Sequence, residues 1–162
     1  MIISEKKNFE RKFFRNLRNK SSAIDMRKVE INVKRYVDSI FRKDLKKKYI
    51  GIYWPLENEV DLRSLGHEYL LALPRCEENK NLLFCAWDKK QLSKDLHGIL
   101  APCSLNKLSY EKISMMFIPC LSVDRNLIRL GYGGGYFDKL REDKNWRSIP
   151  VSYTHLTLPT KA

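Results

Sequence analysis

Arg129-Leu130-Gly131-Tyr132-Gly133-Gly134-Gly135-Tyr136-Phe137-Asp138 gathers four of the chain's seven glycines into ten residues. Lacking a Cβ, glycines let successive backbone N–H groups turn toward a ligand, which is how a backbone cradles a phosphate. Tyr136-Phe137-Asp138-Lys139-Leu140-Arg141 continues with helical spacing, so the loop opens onto a helix N-terminus, whose dipole favours anions. Asp138 falls in the first turn, where a carboxylate can hold a divalent cation beside the phosphates. The loop is neither a Walker A motif, since no lysine follows the glycines, nor a dinucleotide fingerprint, which needs glycine where Tyr136 stands. A glycine-rich hairpin or flexible loop is the competing account. Arg129 weighs against it, because a mere turn does not need an anion-matching guanidinium.

Working outward, Tyr49-Ile50-Gly51-Ile52-Tyr53-Trp54 reads as a buried strand ended by Pro55, followed by the acidic loop Glu57-Asn58-Glu59-Val60-Asp61. Carboxylates just past a strand's C-terminal end sit where open α/β sheets bind ligands. Tyr69–Leu73, Leu82–Trp87 and Met115–Ile118 read as further strands, and a fifth starts at Ile149. Short connections leave the strand order open, since a parallel crossover with its helix takes about a dozen residues or more. Upstream, Phe9, Phe13, Phe14 and Leu17 recur at helical spacing from Ser4 to Asn19, with Lys7, Arg11, Arg15 and Arg18 on other faces. A second helix is expected from Asp25 to Phe41, burying Met26, Val29, Val33, Tyr36, Val37 and Ile40. Gly98–Pro102 reads as a loop across the sheet edge. The expected fold is α/β: a layered, largely parallel sheet flanked by helices, in one domain over residues 1–150.

A length of 162 residues and 43% hydrophobic content suit one such domain. The chain holds no apolar run of about eighteen residues and no secretory signal at its N-terminus, so the cytoplasm is the expected compartment, with no membrane partner. Cys76, Cys85, Cys103 and Cys120 form no Cys-x-x-Cys pair and read as reduced thiols. The net charge of +12 admits a basic nucleic-acid-binding module as an alternative. Its lysines lack the interleaved aromatics of a base-stacking platform, however, and that reading leaves the glycine loop idle. A positive field also suits an enzyme that collects anionic substrates. Val151–Ala162 resembles read-through into an adapter sequence and is expected to be a non-native tail, with the native text ending near Pro150.

The glycine loop, the basic first helix and the Trp54–Asp61 segment together resemble the 5-formyltetrahydrofolate cyclo-ligase (methenyltetrahydrofolate synthetase) family, over roughly Lys7 to Val151. The resemblance implies an enzyme that closes 5-formyltetrahydrofolate to 5,10-methenyltetrahydrofolate, using ATP and Mg2+ and releasing ADP and phosphate. It also implies a monomer whose partners are ATP and a reduced folate, including polyglutamylated forms, and not nucleic acid.

Carried over by residue, Lys7 and Arg11 match the family's Lys-x-x-x-Arg that grips ATP phosphates, and Arg18 matches a further basic position. Arg129, Leu130, Gly131, Tyr132, Gly133, Gly134, Gly135, Tyr136 and Phe137 match the ATP-binding loop, with Arg129 and Lys7 as the catalytic cations. Trp54 and Glu59 match folate-pocket positions, which the loop from Tyr132 to Tyr136 also borders, and Asp138 matches a magnesium ligand. The chain departs from the family pattern at Cys120 and Leu127, where glycines are usual, and at Ala101-Pro102, where Glu-Pro is usual. A second magnesium-binding aspartate of the family's C-terminal segment has no counterpart here.

Overall fold

The computed structural model describes residues 3–40, 47–143 and 148–152. Its elements in chain order are α1 (Ile3–Asn19), α2 (Ala23–Ile40), β1 (Tyr49–Gly51), β2 (Leu71–Cys76), β3 (Leu82–Trp87), β4 (Ser93–Lys94) and β5 (Leu100–Ala101). There follow β6 (Ile113–Pro119), β7 (Ser122–Val123), β8 (Arg129–Leu130), α3 (Tyr136–Asp143) and β9 (Ser148–Val151), with four short 3-10 turns among the described residues.

Alternation along the strands sorts their side chains onto two faces. Ile50, Ile52, Leu71, Leu73, Met115, Phe117, Ile149 and Val151 turn to one face and pack with Val33 and Val37 of α2. Ala72, Phe84, Met116 and Ile118 turn to the other and pack with Leu140 of α3. Each fully buried large side chain contributes about 1.5–3 kcal/mol, so both layers are needed to hold the sheet. Gly51 lies where the second face is tightest: a methyl group added there would come within 2.6 Å of Met116 Cγ and 3.0 Å of Phe84.

The sheet runs β3-β2-β1-β6-β9. The pairs β1–β2, β1–β6 and β6–β9 are parallel, and β3 closes one edge antiparallel to β2, with Leu73 opposite Cys85. The expected α/β sheet, largely parallel and flanked by helices, is therefore the architecture observed. The crossover from β1 to β2 uses a loop and the 3-10 turn Arg63–His67 instead of an α-helix. Leu62 and Leu65, both buried, do the covering that a crossover helix would otherwise do.

One expectation is corrected, and two further segments are seen in more detail. The Gly98–Pro102 segment is not a plain loop, because Leu100 and Ala101 pair with Lys94 and Ser93 as an antiparallel hairpin. The aromatic stripe of α1 does not face the core: Phe9 is 71% and Phe13 51% exposed, while Arg11, Phe14 and Arg18 turn inward. That helix lies against a polar loop, so its guanidiniums find partners there that phenyl rings could not offer. The boundary placed at Pro150 falls inside β9, where Val151 is buried and the buried Ser152 Oγ donates to the Leu121 carbonyl at 2.9 Å. Phe41 and residues 153–162 lie outside the described residues.

The second helix forms as the spacing predicts, with Val33 and Val37 fully buried. Ser22 and Asp25 cap its start: Ser22 Oγ accepts from Asp25 N at 3.2 Å, while Asp25 Oδ2 accepts from the Ser22 backbone N–H at 3.3 Å.

Candidate active site

The C-terminal ends of the parallel strands β1, β6 and β9 point to one end of the sheet, and the glycine loop hangs over it. The hairpin β7–β8 delivers the loop, with Ser122 opposite Leu130 and Val123 opposite Arg129. Gly133 (φ 102°) and Gly135 (φ 77°) adopt backbone conformations that a Cβ disfavours. The Gly135 carbonyl then accepts from Lys139 N at 3.0 Å, the first turn of α3. Loop glycines opening onto a helix start is the arrangement the sequence predicts, and Asp138 lies in that first turn.

A cavity of about 320 Å³ lies beneath the loop, near the small end of the range for ligand sites. Gly131–Asp138 and Arg129 form one wall, Trp54 and Glu59 from the end of β1 another, and Asp95, His97 and Ile99 from the β4–β5 turn a third. Of the expected site residues, Trp54, Glu59, Arg129 and Gly131–Asp138 line this one space. Leu130 sits just behind it in β8.

Arg11 touches the site from α1. Its Nε donates to the Gly131 carbonyl at 3.1 Å, and a Cβ added at Gly133 would meet its guanidinium carbon at 3.5 Å. Lys7, one turn earlier on α1, is exposed and does not line the cavity.

Arg18 closes the floor. It is nearly fully buried, donates a hydrogen bond to Tyr132 Oη, lies over the Tyr132 ring at 5.1 Å and stands 3.7 Å from Glu59 Oε1. Glu59 is buried as well. Its Oε2 accepts from the Leu56 backbone N–H at 2.8 Å, whereas Oε1 receives no hydrogen bond among the described residues. Beyond its ion pair with Arg18, this buried oxygen can still accept a hydrogen bond, and a ligand bearing N–H groups would supply the donor. Burial, and then the charge of Glu59, push the Tyr132 phenol well above its usual range, so it stays neutral.

Arg129 and Asp138 meet each other in an ion pair. The Arg129 side chain is only 8% exposed and its Nε has no hydrogen-bond partner among the described residues, while the Asp138 side chain is 67% exposed. The pair therefore holds a buried cation against the cavity and leaves the carboxylate at the rim. Among the described residues no group of three or more His, Cys, Asp or Glu gathers as a metal cluster. A single rim carboxylate nonetheless fits magnesium, which keeps much of its shell for water and phosphate oxygens.

Trp54 stands edge-on to Trp87 at 6.2 Å between ring centroids, and the Arg63 guanidinium stacks over it at 4.4 Å. Two cavity residues had no assigned role in the sequence. Asp95 accepts backbone N–H bonds from Cys76, His97 and Ile99, fastening the β4–β5 turn onto β2, and His97 Nε2 meets Tyr136 Oη at 2.5 Å. Asp-Leu-His-Gly carries a turn signature in its glycine. Nothing local to it shows that the turn folds over a loop some forty residues on.

The NMR structure of the 5,10-methenyltetrahydrofolate synthetase of Aquifex aeolicus matches with a TM-score of 0.75 at 25% identity, covering 96% of this chain and 84% of that one. The 5,10-methenyltetrahydrofolate synthetase of Mycoplasma pneumoniae shares the fold with a TM-score of 0.64 at 18% identity, covering 95% and 91%. No curated protein sequence matches the chain. Residues 3–156 match the 5-formyltetrahydrofolate cyclo-ligase family, and the chain belongs to it.

Proposed function

We propose that this protein is an ATP-dependent cyclo-ligase that converts 5-formyltetrahydrofolate to 5,10-methenyltetrahydrofolate with release of ADP and phosphate. The observation that carries the reading is the meeting of two unlike walls across one cavity. A glycine loop with Arg11 and Arg129 suits a polyphosphate, and a buried Glu59 oxygen beside Trp54 suits a flat heterocycle rich in N–H donors.

The chemical obstacle is the formyl oxygen, a poor leaving group. In the proposed reaction that oxygen attacks the terminal phosphorus of ATP, and ADP departs. The neighbouring folate nitrogen then attacks the activated carbon and loses its proton, and the C–O bond breaks to release phosphate. Phosphoryl transfer asks the protein mainly to position groups and to meet charge on the transferring oxygens. Backbone N–H groups of Gly133–Gly135 and the guanidiniums of Arg11 and Arg129 have that role, and Lys7 joins them from α1. Glu59 orients the pterin by accepting its N–H bonds, Trp54 offers it a flat wall, and Tyr132, fixed by Arg18, borders both substrates. Magnesium, when bound at Asp138, would neutralise phosphate charge. No covalent nucleophile is required, in keeping with the thiols: burial and then the Asp95 charge push Cys76 up to about 12, and burial pushes Cys120 up to about 12.

The methenyl product absorbs in the near ultraviolet, so wild-type protein with ATP, magnesium and 5-formyltetrahydrofolate should develop that band. Arg129→Ala and Asp138→Ala should each slow it by about a hundredfold or more, with circular dichroism unchanged. Full activity in either variant would remove that residue from the site, and no band from the wild type would refute the reaction.

A further inference from the structure

The turn between β2 and β3 brings a cation to the glycine loop that none of the residues assigned above accounts for. Asn79 (φ 55°, ψ 32°) and Lys80 (φ 57°) lie consecutively in the left-handed region, an uncommon arrangement for two residues with side chains. Lys139, from the first turns of α3, holds the turn in that shape by donating from Nζ to the Asn79 carbonyl at 2.7 Å and to Asn81 Oδ1 at 2.9 Å. The result is that Lys80 reaches Gly135: a Cβ added at that glycine would stand 3.5 Å from the Lys80 Nζ.

This is an unfavourable place for an ammonium in the free protein. Gly135 immediately precedes α3, and the positive end of a helix dipole repels a cation. Lys80 is exposed and makes no hydrogen bond or ion pair among the described residues. In the cavity that Gly135 lines, the buried Arg129 guanidinium keeps an unpartnered Nε among the described residues. The Lys80 ammonium and the start of α3 thus meet at Gly135, a wall residue of the cavity whose rim carries the Arg129–Asp138 pair. Such a cluster is completed by a multiply charged anion.

We propose that Lys80 is a further phosphate-binding residue of the nucleotide site, delivered from the β2–β3 turn to the Gly135 end of the glycine loop. The assignment rests on the cyclo-ligase reading, because that reading supplies the polyphosphate. Arg11 faces Gly133 and Lys80 faces Gly135, so the two side chains bracket the loop as a pair of cationic arms from different layers of the fold.

Calorimetric titration of the magnesium-free and magnesium-loaded protein with ATP, ADP and adenosine tests this. Lys80→Gln should weaken ATP about tenfold or more and ADP less, leave adenosine within about twofold, and flatten the salt dependence of ATP binding; Lys80→Arg should restore most of the loss. Lys80→Gln binding ATP as tightly as the wild type would overturn the role of Lys80 while leaving the cyclo-ligase reading in place. Loss of adenosine and ATP binding to the same degree would also overturn it, since that marks a distorted turn and not a missing charge. Failure of the wild type to take up ATP at all would refute the cyclo-ligase reading itself, and the role of Lys80 with it.

Discussion

Arg18 and Leu127 show how single positions carry opposite costs. Arg18 sits on a helix whose other basic residues are largely exposed, yet it is buried between Tyr132 and Glu59. Burying a guanidinium is expensive unless its partners are equally fixed, and here the two partners are the loop's tyrosine and the cavity's carboxylate. The basic pattern of α1 was legible in the sequence, but which arginine would turn inward was not, because the spacing ranks faces by hydrophobicity and the loop selects by hydrogen bonding. Leu127 is the converse case. The turn from Asp124 to Ile128 closes on the Asp124 carboxylate, which accepts from the Asn126 and Ile128 backbone N–H groups at 2.8 Å each, and Leu127 is left at φ 61°. The family resemblance marks this position as one where glycine is usual, and the backbone supplies the physical reason. Leu127 is more than half exposed, so replacing it discards little packing. Leu127→Gly should therefore raise stability by about 1 kcal/mol in urea denaturation, as the relieved left-handed strain outweighs the added freedom of the unfolded chain. A loss of stability would show that the side chain is packed more usefully than its exposure implies.

At the scale of elements, the β4–β5 hairpin depends on one carboxylate. Burial alone would raise the Asp95 pKa, but N–H bonds from Cys76, Ile99 and His97 outweigh it and hold the group below the usual carboxylate range. A group depressed on folding contributes stability that is present above its unfolded pKa and lost as pH falls through the folded value. Asp95 should accordingly support the hairpin at neutral pH and let go in acid, below about pH 4. Asp95→Ala should cost about 2–3 kcal/mol at pH 7, with the gap to wild type narrowing at pH 3. An equal gap at both pH values would show that the N–H groups do not depend on the carboxylate charge. The same hairpin marks where sequence reading ran out. The five sheet strands announced themselves because each carries an apolar run such as Met115–Ile118, and the loop because glycine is rare in this chain. β4 (Ser93–Lys94) has no such run and β5 sits in one of only three residues, Ile99–Ala101, while Asp95 fastens their turn by reaching across to Cys76. The Arg129–Asp138 pair escaped for a related reason: each was read for what it would offer a ligand, and in the free protein they serve each other.

The whole molecule combines a net charge of +12 with a cavity whose polar wall is made by backbone N–H groups and guanidiniums. Surface lysines far from the site cannot touch a substrate, but their summed field acts over about 10 Å at 0.1 M salt and further when salt is lower. On the proposed reading, a positively charged molecule draws anionic substrates toward itself, raising encounter rates without altering the bound geometry. This separates two ways in which charge can serve catalysis. Arg129 lines the cavity and half-buried Arg11 touches its glycine loop, where screening is weaker than in open solvent, and on the proposed reading both bear on the bound complex. The dispersed lysines bear on its formation. Raising salt from about 0.02 to about 0.3 M should therefore lower kcat/KM for both substrates several-fold while kcat moves less than about twofold, as measured by the rate of methenyl absorbance in steady state. The order of effects follows from location: encounter happens in open solvent, where ions screen, and the proposed phosphoryl transfer beneath the glycine loop is shielded from them. A fall in kcat matching the fall in kcat/KM would place the salt-sensitive charges inside the cavity, and the surplus of lysine would then need another purpose.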